Sequence, residues 1–243
     1  MKVLVIPDVH LKPYMFDNAS KLMRRCNAER AVCLMDIADD WDKGLNLNLY
    51  EETYDKAIQF AQEFPDTLWC YGNHDYSYLH LYRESGFSYM AIDIVQRKML
   101  ELQKALPDER QLAIIHRIDR VLFIHGGLTR KFIYENVPTK DEDGIDDIIE
   151  RINRLPHHKL WDDDSPLWVR PQEGNVEMYL SNKYIQVVGH TPVRQIQVEG
   201  SVISCDVFST DRNGYPIGTC VYPIIDTKTG AYTIATWATG FYD

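Results

Sequence analysis

Six side chains of the kinds that hold metal ions stand just past the ends of five short apolar runs. VLVI leads into Asp8 and His10, AVCLM into Asp36, TLWCY into Asn73, VLFI into His125 and IQVVG into His190. Asp8 and His10 lie two residues apart in an extended segment, so both project to one side and can reach the same ion. Asp36 has two carboxylate oxygens and can bridge a pair of ions; Asn73 offers a neutral carbonyl oxygen, and His125 and His190 offer imidazole nitrogens. The assignment that follows is Asp8, His10 and Asp36 on one ion, and Asp36, Asn73, His125 and His190 on a second. Oxygen and nitrogen donors without sulfur suit Mn²⁺, with Fe or Zn²⁺ as alternatives, over Ca²⁺. Two divalent ions acidify a shared water and clamp phosphoryl oxygens, so the chemistry expected is metal-assisted hydrolysis of a phosphate ester without a covalent intermediate.

Positioning six ligands from five runs requires a sheet. Short runs rich in β-branched and aromatic residues read as buried strands, and ligands collect at the carboxyl ends of strands in α/β sheets. Helical apolar spacing over residues 17–27 and 50–63 supplies crossovers between the first three strands. Residues 88–106 carry Ile92, Val95, Met99, Leu102 and Leu106 on one face ahead of Pro107, which predicts a helix capping the site or packing outside the sheet. LAIIH and VLFIH flank Arg117 to Arg120 and predict a hairpin, as do VRQIQV and SVISCDV around Glu199-Gly200; strands are expected near 218–225 and 232–237. Residues 129–184 read as an irregular insertion whose acidic runs, 141–143 and 162–164, are solvated loops.

A length of 243 residues suits a single α/β domain spanning 1–243. With 45% apolar and 26% charged residues the composition is that of a globular protein. A net charge of −10 argues against general nucleic-acid binding, which rests on Lys and Arg. No membrane span or targeting segment is visible, and five cysteines without a C-x-x-C spacing read as reduced thiols, so the expected location is cytoplasmic.

Taken in order, Asp8-x-His10, Asp36-x-x-Asp39, Gly72-Asn73-His74-Asp75, His125-Gly126-Gly127-Leu128 and Gly189-His190-Thr191-Pro192 resemble the motifs of calcineurin-like metallophosphoesterases. The HGGL element and the single His of GHTP are most similar to the serine/threonine protein phosphatases of bacteria and phages and to the diadenosine tetraphosphate hydrolases. The resemblance implies a four-layer α/β/β/α sandwich of two mixed sheets with a dinuclear metal site at the strand ends. It implies a phosphomonoester hydrolase acting on a phosphorylated protein; the alternatives are hydrolysis of a nucleotide phosphoanhydride and a weakly active metal-binding interaction module. His74 resembles the general acid that protonates the leaving group, with Asp39 orienting its ring. Asp75 is a candidate support for the loop. Ser165-Pro166-Leu167-Trp168-Val169-Arg170 is similar to a segment whose Arg holds substrate phosphate; the competing reading of Arg170 is a surface ion pair with the nearby acidic run. Arg130, just after HGGLT, faces either the site or solvent. Trp41 is either a stacking platform or a packed aromatic. Two departures stand out. Met35 precedes Asp36 where the family has Gly, which an extended conformation would tolerate. Asp40 stands where the family has a phosphate-binding Arg, so a like-charge repulsion is expected that Asp40→Arg would relieve, lowering KM.

Overall fold

The structure, a computed structural model, describes residues 1–140, 143–174 and 176–236. The first strand, β1 (Lys2–Ile6), is buried over four of its five residues, and it pairs in parallel with β2 (Arg30–Cys33), which pairs in parallel with β3 (Leu68–Cys70). Helix α1 (Tyr14–Arg25) makes the first crossover and starts ahead of the predicted position, directly after Pro13, whose fixed φ suits a helix start. Helix α2 (Leu47–Glu63) also starts early, because the Asn46 side chain caps it by accepting from the Leu49 N–H.

Beyond β3 the chain turns at Gly72 into a short helix the periodicity does not reveal, α3 (Asn73–His80). A 3₁₀ turn at Tyr89–Ala91 leads into α4 (Ile92–Ala105), which buries Val95, Met99 and Leu102 and packs beside α2. The run LAIIH divides between two sheets: β4 (Leu112–Ala113) is the neighbour of β3, whereas β5 (Ile115–Ile118) forms the expected hairpin with β6 (Val121–Ile124).

The stretch expected to be irregular holds three short helices, α5 (Arg130–Asn136), α6 (Ile145–Asn153) and α7 (His157–Leu160). Ile145, Ile148, Ile149 and Ile152 have helical spacing, and the last three are buried. Of the acidic run 141–143 only Asp143 lies within the described residues, paired with Arg151. The chain closes with β7 (Ile185–Val188), the hairpin β8 (Gln197–Glu199) and β9 (Val202–Ser204), then β10 (Tyr222–Asp226) and β11 (Tyr232–Ala235). The last strand was expected to reach Trp237, which lies outside the described residues.

One sheet has the order β11-β10-β1-β2-β3-β4 and the other β5-β6-β7-β9-β8, each mixing parallel and antiparallel pairs. Alternation along β6 shows how the layers stack, since neighbouring strand residues face opposite ways. Val121 and Phe123 join the core shared with β1, β2, α1 and α2, while Leu122 and Ile124 join a second core with Phe132, Ile133, Ile148 and Ile152. Helices therefore cover the outer face of each sheet, giving four layers. All five cysteines are unpaired, and among the described residues no helix is long and apolar enough to cross a membrane.

Candidate active site

The loops after β1 and β2 are laced together past the strands. Val9 N–H donates to the Met35 carbonyl (3.1 Å), His10 N–H to that of Asp36 (2.7 Å) and Leu11 N–H to that of Ile37 (3.0 Å). This register places His10 Nε2 3.8 Å from Asp36 Oδ2. It also holds a run of left-handed residues, with φ of +43° at His10, +55° at Leu11, +58° at Met35 and +43° at Asp36. Left-handed backbone costs a non-glycine residue on the order of 1–2 kcal/mol, and such strain persists where surrounding bonds over-determine it, commonly at functional sites. The extended conformation expected for Met35 is thus replaced by a left-handed one; its side chain is fully buried and fills the core beneath the turn.

Asn73 and His74 are the first residues of α3. Asn73 Oδ1 lies 2.9 Å from His125 Nε2 and 2.8 Å from His190 Nδ1, and His125 Nε2 lies 3.2 Å from Asp36 Oδ2. His125 Nδ1–H donates to the Leu34 carbonyl and His10 Nδ1–H to the Asp39 carbonyl, each at 2.9 Å. Such bonds fix the tautomer and leave Nε2 as a bare electron pair for a metal. Two oxygens then face the electron pair of His125, an arrangement that calls for a cation. Without one, a proton serves: burial pulls the His125 imidazole down, but Asp36 and Asp8 outweigh it and raise it to about 9. Burial holds His10 and His190 below their usual range, as neutral imidazoles. Asp8 Oδ1 and His190 Nε2 are among the buried atoms without a hydrogen-bond partner, which leaves an electron pair on each that can be given to an ion.

Among the described residues the donor atoms fall into groups whose members lie within 4.8 Å of one another: Asp36, His125 and His190 in one, His10, Asp36 and His74 in another, and Asp39, His74 and Glu84 in a third, which shares only His74 with the second. Asp36 is common to the first two. Asp8 belongs to neither; its Oδ2 accepts from the His190 N–H at 2.7 Å, and it sits against the backbone of Gly189. A Cβ at Gly189 would lie 1.9 Å from Asp8 Oδ1, and one at Gly72 would lie 2.0 Å from Asp36 Oδ1. These glycines let backbone approach the carboxylates. Gly189→Ala should therefore displace Asp8 and weaken ion binding by about 10–100-fold, the usual effect of disturbing a group around a metal, as read by calorimetric titration of Mn²⁺. Wild-type affinity in the variant would show that Asp8 is not held by this contact.

His74 lies at the cleft side of the group. Its Nδ1 is 3.0 Å from Asp39 Oδ2 and 2.9 Å from Glu84 Oε1, while Asp39 Oδ1 accepts from the Tyr50 and Tyr78 hydroxyls, each at 2.6 Å. Burial pulls the His74 imidazole down, but Glu84, Asp36 and Asp39 outweigh it and hold it well above its usual value. Asp75 points away and accepts from Ile37 N–H (3.1 Å), Ala38 N–H (3.2 Å) and the Tyr54 hydroxyl (2.5 Å), bracing the loop after Asp36. Two acidic residues escaped the sequence reading. Asp206, fully buried beside His10 and Asp36, follows the apolar run SVISC and obeys the same strand-end pattern as the others. Glu84 lies in an irregular turn and carries no such signal.

The cleft over these groups has a volume of about 280 Å³ and is lined by His10, Asp36, His74, Trp168, Arg170 and Asp206 among others. Arg170 is brought to it, donating to Thr191 Oγ1 at 3.2 Å; its only acidic neighbour among the described residues is Glu173 at 3.9 Å, not the run 162–164. Arg130 is not brought to it. It lies on α5 in a separate groove, exposed and paired with Glu177 at 2.6 Å, because the turn after Leu128 carries the chain away over the second sheet. Asp40 is not the free charge that was expected. Lys12 Nζ (3.1 Å) and Thr210 Oγ1 (2.7 Å) bind its carboxylate, so Asp40→Arg would set two cations together rather than relieve a repulsion. Trp41 stands half-exposed at the cleft mouth under the Arg212 guanidinium, 5.2 Å away.

The family model for calcineurin-like phosphoesterases matches residues 1–214. The chain belongs to this family. It is accordingly a phosphoesterase, a hydrolase of a family that uses divalent metals and acts on phosphoesters, and it carries the side-chain groups that can hold them. Among solved structures, this phosphoesterase is similar to the cold-active protein-tyrosine phosphatase of a psychrophilic Shewanella species, at 17% identity and a TM-score of 0.58, covering 96% of this chain and 80% of that one. It is also similar to an archaeal phosphodiesterase (14% identity, TM-score 0.43, covering 97% and 99%) and to a metallophosphoesterase from Sphaerobacter thermophilus (14%, 0.43, covering 98% and 89%). At such identities likeness speaks for the fold alone. No curated protein sequence matches the chain.

Proposed function

We propose that this phosphoesterase hydrolyses phosphomonoesters, with phosphorylated serine or threonine side chains of proteins as the leading substrate class. The observation that carries the reading is that Asp36 belongs to two donor groups at once, with His74 on the cleft side. One ion would be held by Asp8, His10 and Asp36, the other by Asp36, Asn73, His125 and His190, with Mn²⁺ the first candidate and Fe or Zn²⁺ also suited to the donors. When bound, such a pair supplies a nucleophilic hydroxide and neutralises phosphoryl charge. The chain's own part is to orient and to move a proton. His74, held at Nδ1 by Asp39 with the Glu84 carboxylate beside it, has Nε2 free to protonate the departing alkoxide. Arg170, anchored on Thr191, offers its remaining N–H groups to phosphate oxygens.

The size of the cleft is compatible with a monoester. Ligand sites that enclose a whole small molecule run from roughly 300 to 1,000 Å³. A cleft of about 280 Å³ has room for a phosphoryl group and the side chain bearing it. The test is a panel of phosphoserine, phosphothreonine and phosphotyrosine peptides against diadenosine tetraphosphate, using Mn²⁺-loaded enzyme. Preferential turnover of phosphoserine or phosphothreonine peptides supports the reading, whereas preference for the dinucleotide or for phosphotyrosine replaces it. In the same assay Arg170→Ala should raise KM about tenfold, the equivalent of one lost charge-assisted hydrogen bond, with a smaller change in kcat. An unchanged KM would remove Arg170 from the phosphate contacts.

A further inference from the structure

We propose that Glu84 is a positioning residue that fixes both members of the Asn73-His74 pair, tying the hold on one metal ion to the aim of the proton donor. The inference rests on the roles just given to Asn73 and His74.

Glu84 projects from the turn between α3 and the 3₁₀ helix, and its carboxylate is almost entirely buried, with 4% of the side chain exposed. Oε2 accepts from Asn73 Nδ2 at 2.6 Å, and Oε1 lies 2.9 Å from His74 Nδ1. Gly86 adopts φ +94°, a conformation that favours glycine, where the turn packs against the ring. One carboxylate thus hydrogen-bonds Asn73 and lies in ion-pair contact with His74, consecutive side chains whose working atoms point in different directions.

For Asn73 the consequence is the sense of the amide. With Nδ2 donating to Glu84, Oδ1 must face His125 and His190, where a metal ligand is needed. A flipped amide would set its oxygen against the Glu84 carboxylate. No other acceptor for the Asn73 amide N–H groups is present among the described residues, so on the N–H₂ side Glu84 sets this choice. For His74 the consequence is shared control. Asp39, itself braced by Tyr50 and Tyr78, accepts the Nδ1–H hydrogen bond, while Glu84 Oε1 lies 2.9 Å from the same nitrogen in ion-pair contact, a second negative charge that draws the ring toward it. Glutamine is isosteric with Glu84 but uncharged, and its amide N–H₂ must face either Asn73 or His74, so Glu84→Gln removes the ion pair with His74 and can also lose the bond from Asn73. Aspartate is one methylene short of spanning both.

The experiment compares the wild type with Glu84→Gln, Glu84→Asp, His74→Asn and the Glu84→Gln/His74→Asn double variant. Calorimetric titration of Mn²⁺ into metal-free protein reads the first role without substrate. Weakening of the second ion by about 10–100-fold in both Glu84 variants is expected, as for other groups that orient a metal ligand. Turnover of an alkyl phosphate and of p-nitrophenyl phosphate at saturating Mn²⁺ reads the second. Glu84→Gln should slow the alkyl ester about tenfold more than the aryl ester, and this excess should vanish in the His74→Asn background, because the effect passes through His74. A Glu84→Gln protein that binds both ions as the wild type does and slows the two esters equally overturns the proposal. Should His74→Asn alone show no preference between the esters, the acid reading falls. The titration then decides Glu84 by itself: unchanged second-ion affinity in Glu84→Asp overturns the role and a tenfold weakening upholds it.

Discussion

Asp36→Asn should lower kcat/KM by at least about 10³-fold, because an ion pair contributes several kcal/mol to the transition state and each 1.4 kcal/mol is a factor of ten. The substitution is sterically mild. Oδ1 can still accept from the His74 N–H, as it does at 2.9 Å in the native protein, so α3 keeps its start. What changes is the other end of the side chain. Oδ2, 3.2 Å from His125 Nε2 and 3.8 Å from His10 Nε2, becomes an N–H₂ group with no electron pair to give. The one negative charge shared by both donor groups disappears, so both ions should be lost or weakened together. Elemental analysis after Mn²⁺ loading and desalting should find two equivalents in the wild type and fewer than one in the variant. Two retained ions with near-normal activity would show that Asp36 does not bridge.

His74→Asn should leave both ions in place and slow alkyl phosphates by about 10²–10⁴-fold, the usual span for a general acid. The distinguishing measurement is the leaving group. An alkoxide needs a proton as it departs, whereas a nitrophenolate needs little help, so the loss on p-nitrophenyl phosphate should be much smaller. His74 is well placed for such a role because its Nδ1 is committed to Asp39 and Glu84, which leaves only Nε2 to address the cleft. Equal losses on both esters, with chemistry shown to be rate-limiting, would argue against proton donation and leave His74 as a group that merely fills the cleft wall.

Strand ends were legible because burial leaves few choices: an apolar run that stops at Asp, Asn or His must deliver that residue to the sheet edge. The same reasoning, carried to SVISC, would have found Asp206. Local turns were legible only in part. Nothing in the period of residues 73–80 announces α3, because a helix this short with polar residues at its start buries no continuous stripe. LAIIH looks like one strand, yet Ile114 marks the step between sheets, a choice made by tertiary packing. Arg130 and Arg170 are alike as isolated letters; the turn after Leu128 sends one away, and the bond to Thr191 draws the other in. Asp40 was misjudged because its charge was read without Lys12, whose ammonium lies beside it across the strand ends.

The order of synthesis sets when this site can exist. β1 pairs with β2 early in the chain, but its other flank is filled by β10, with Val3 opposite Ile225. Asp8 likewise waits for the His190 N–H, which closes a span of 182 residues. Bringing such distant points together costs an unstructured chain about 5 kcal/mol of closure entropy. On the ribosome, β1 therefore keeps one edge unpaired until β10 has been made, and an open apolar edge is where nascent chains pair wrongly. Asp8, His10 and Asp36 are made well before His125 and His190, so the proposed ligands can come together only late, in a fold that is nearly finished.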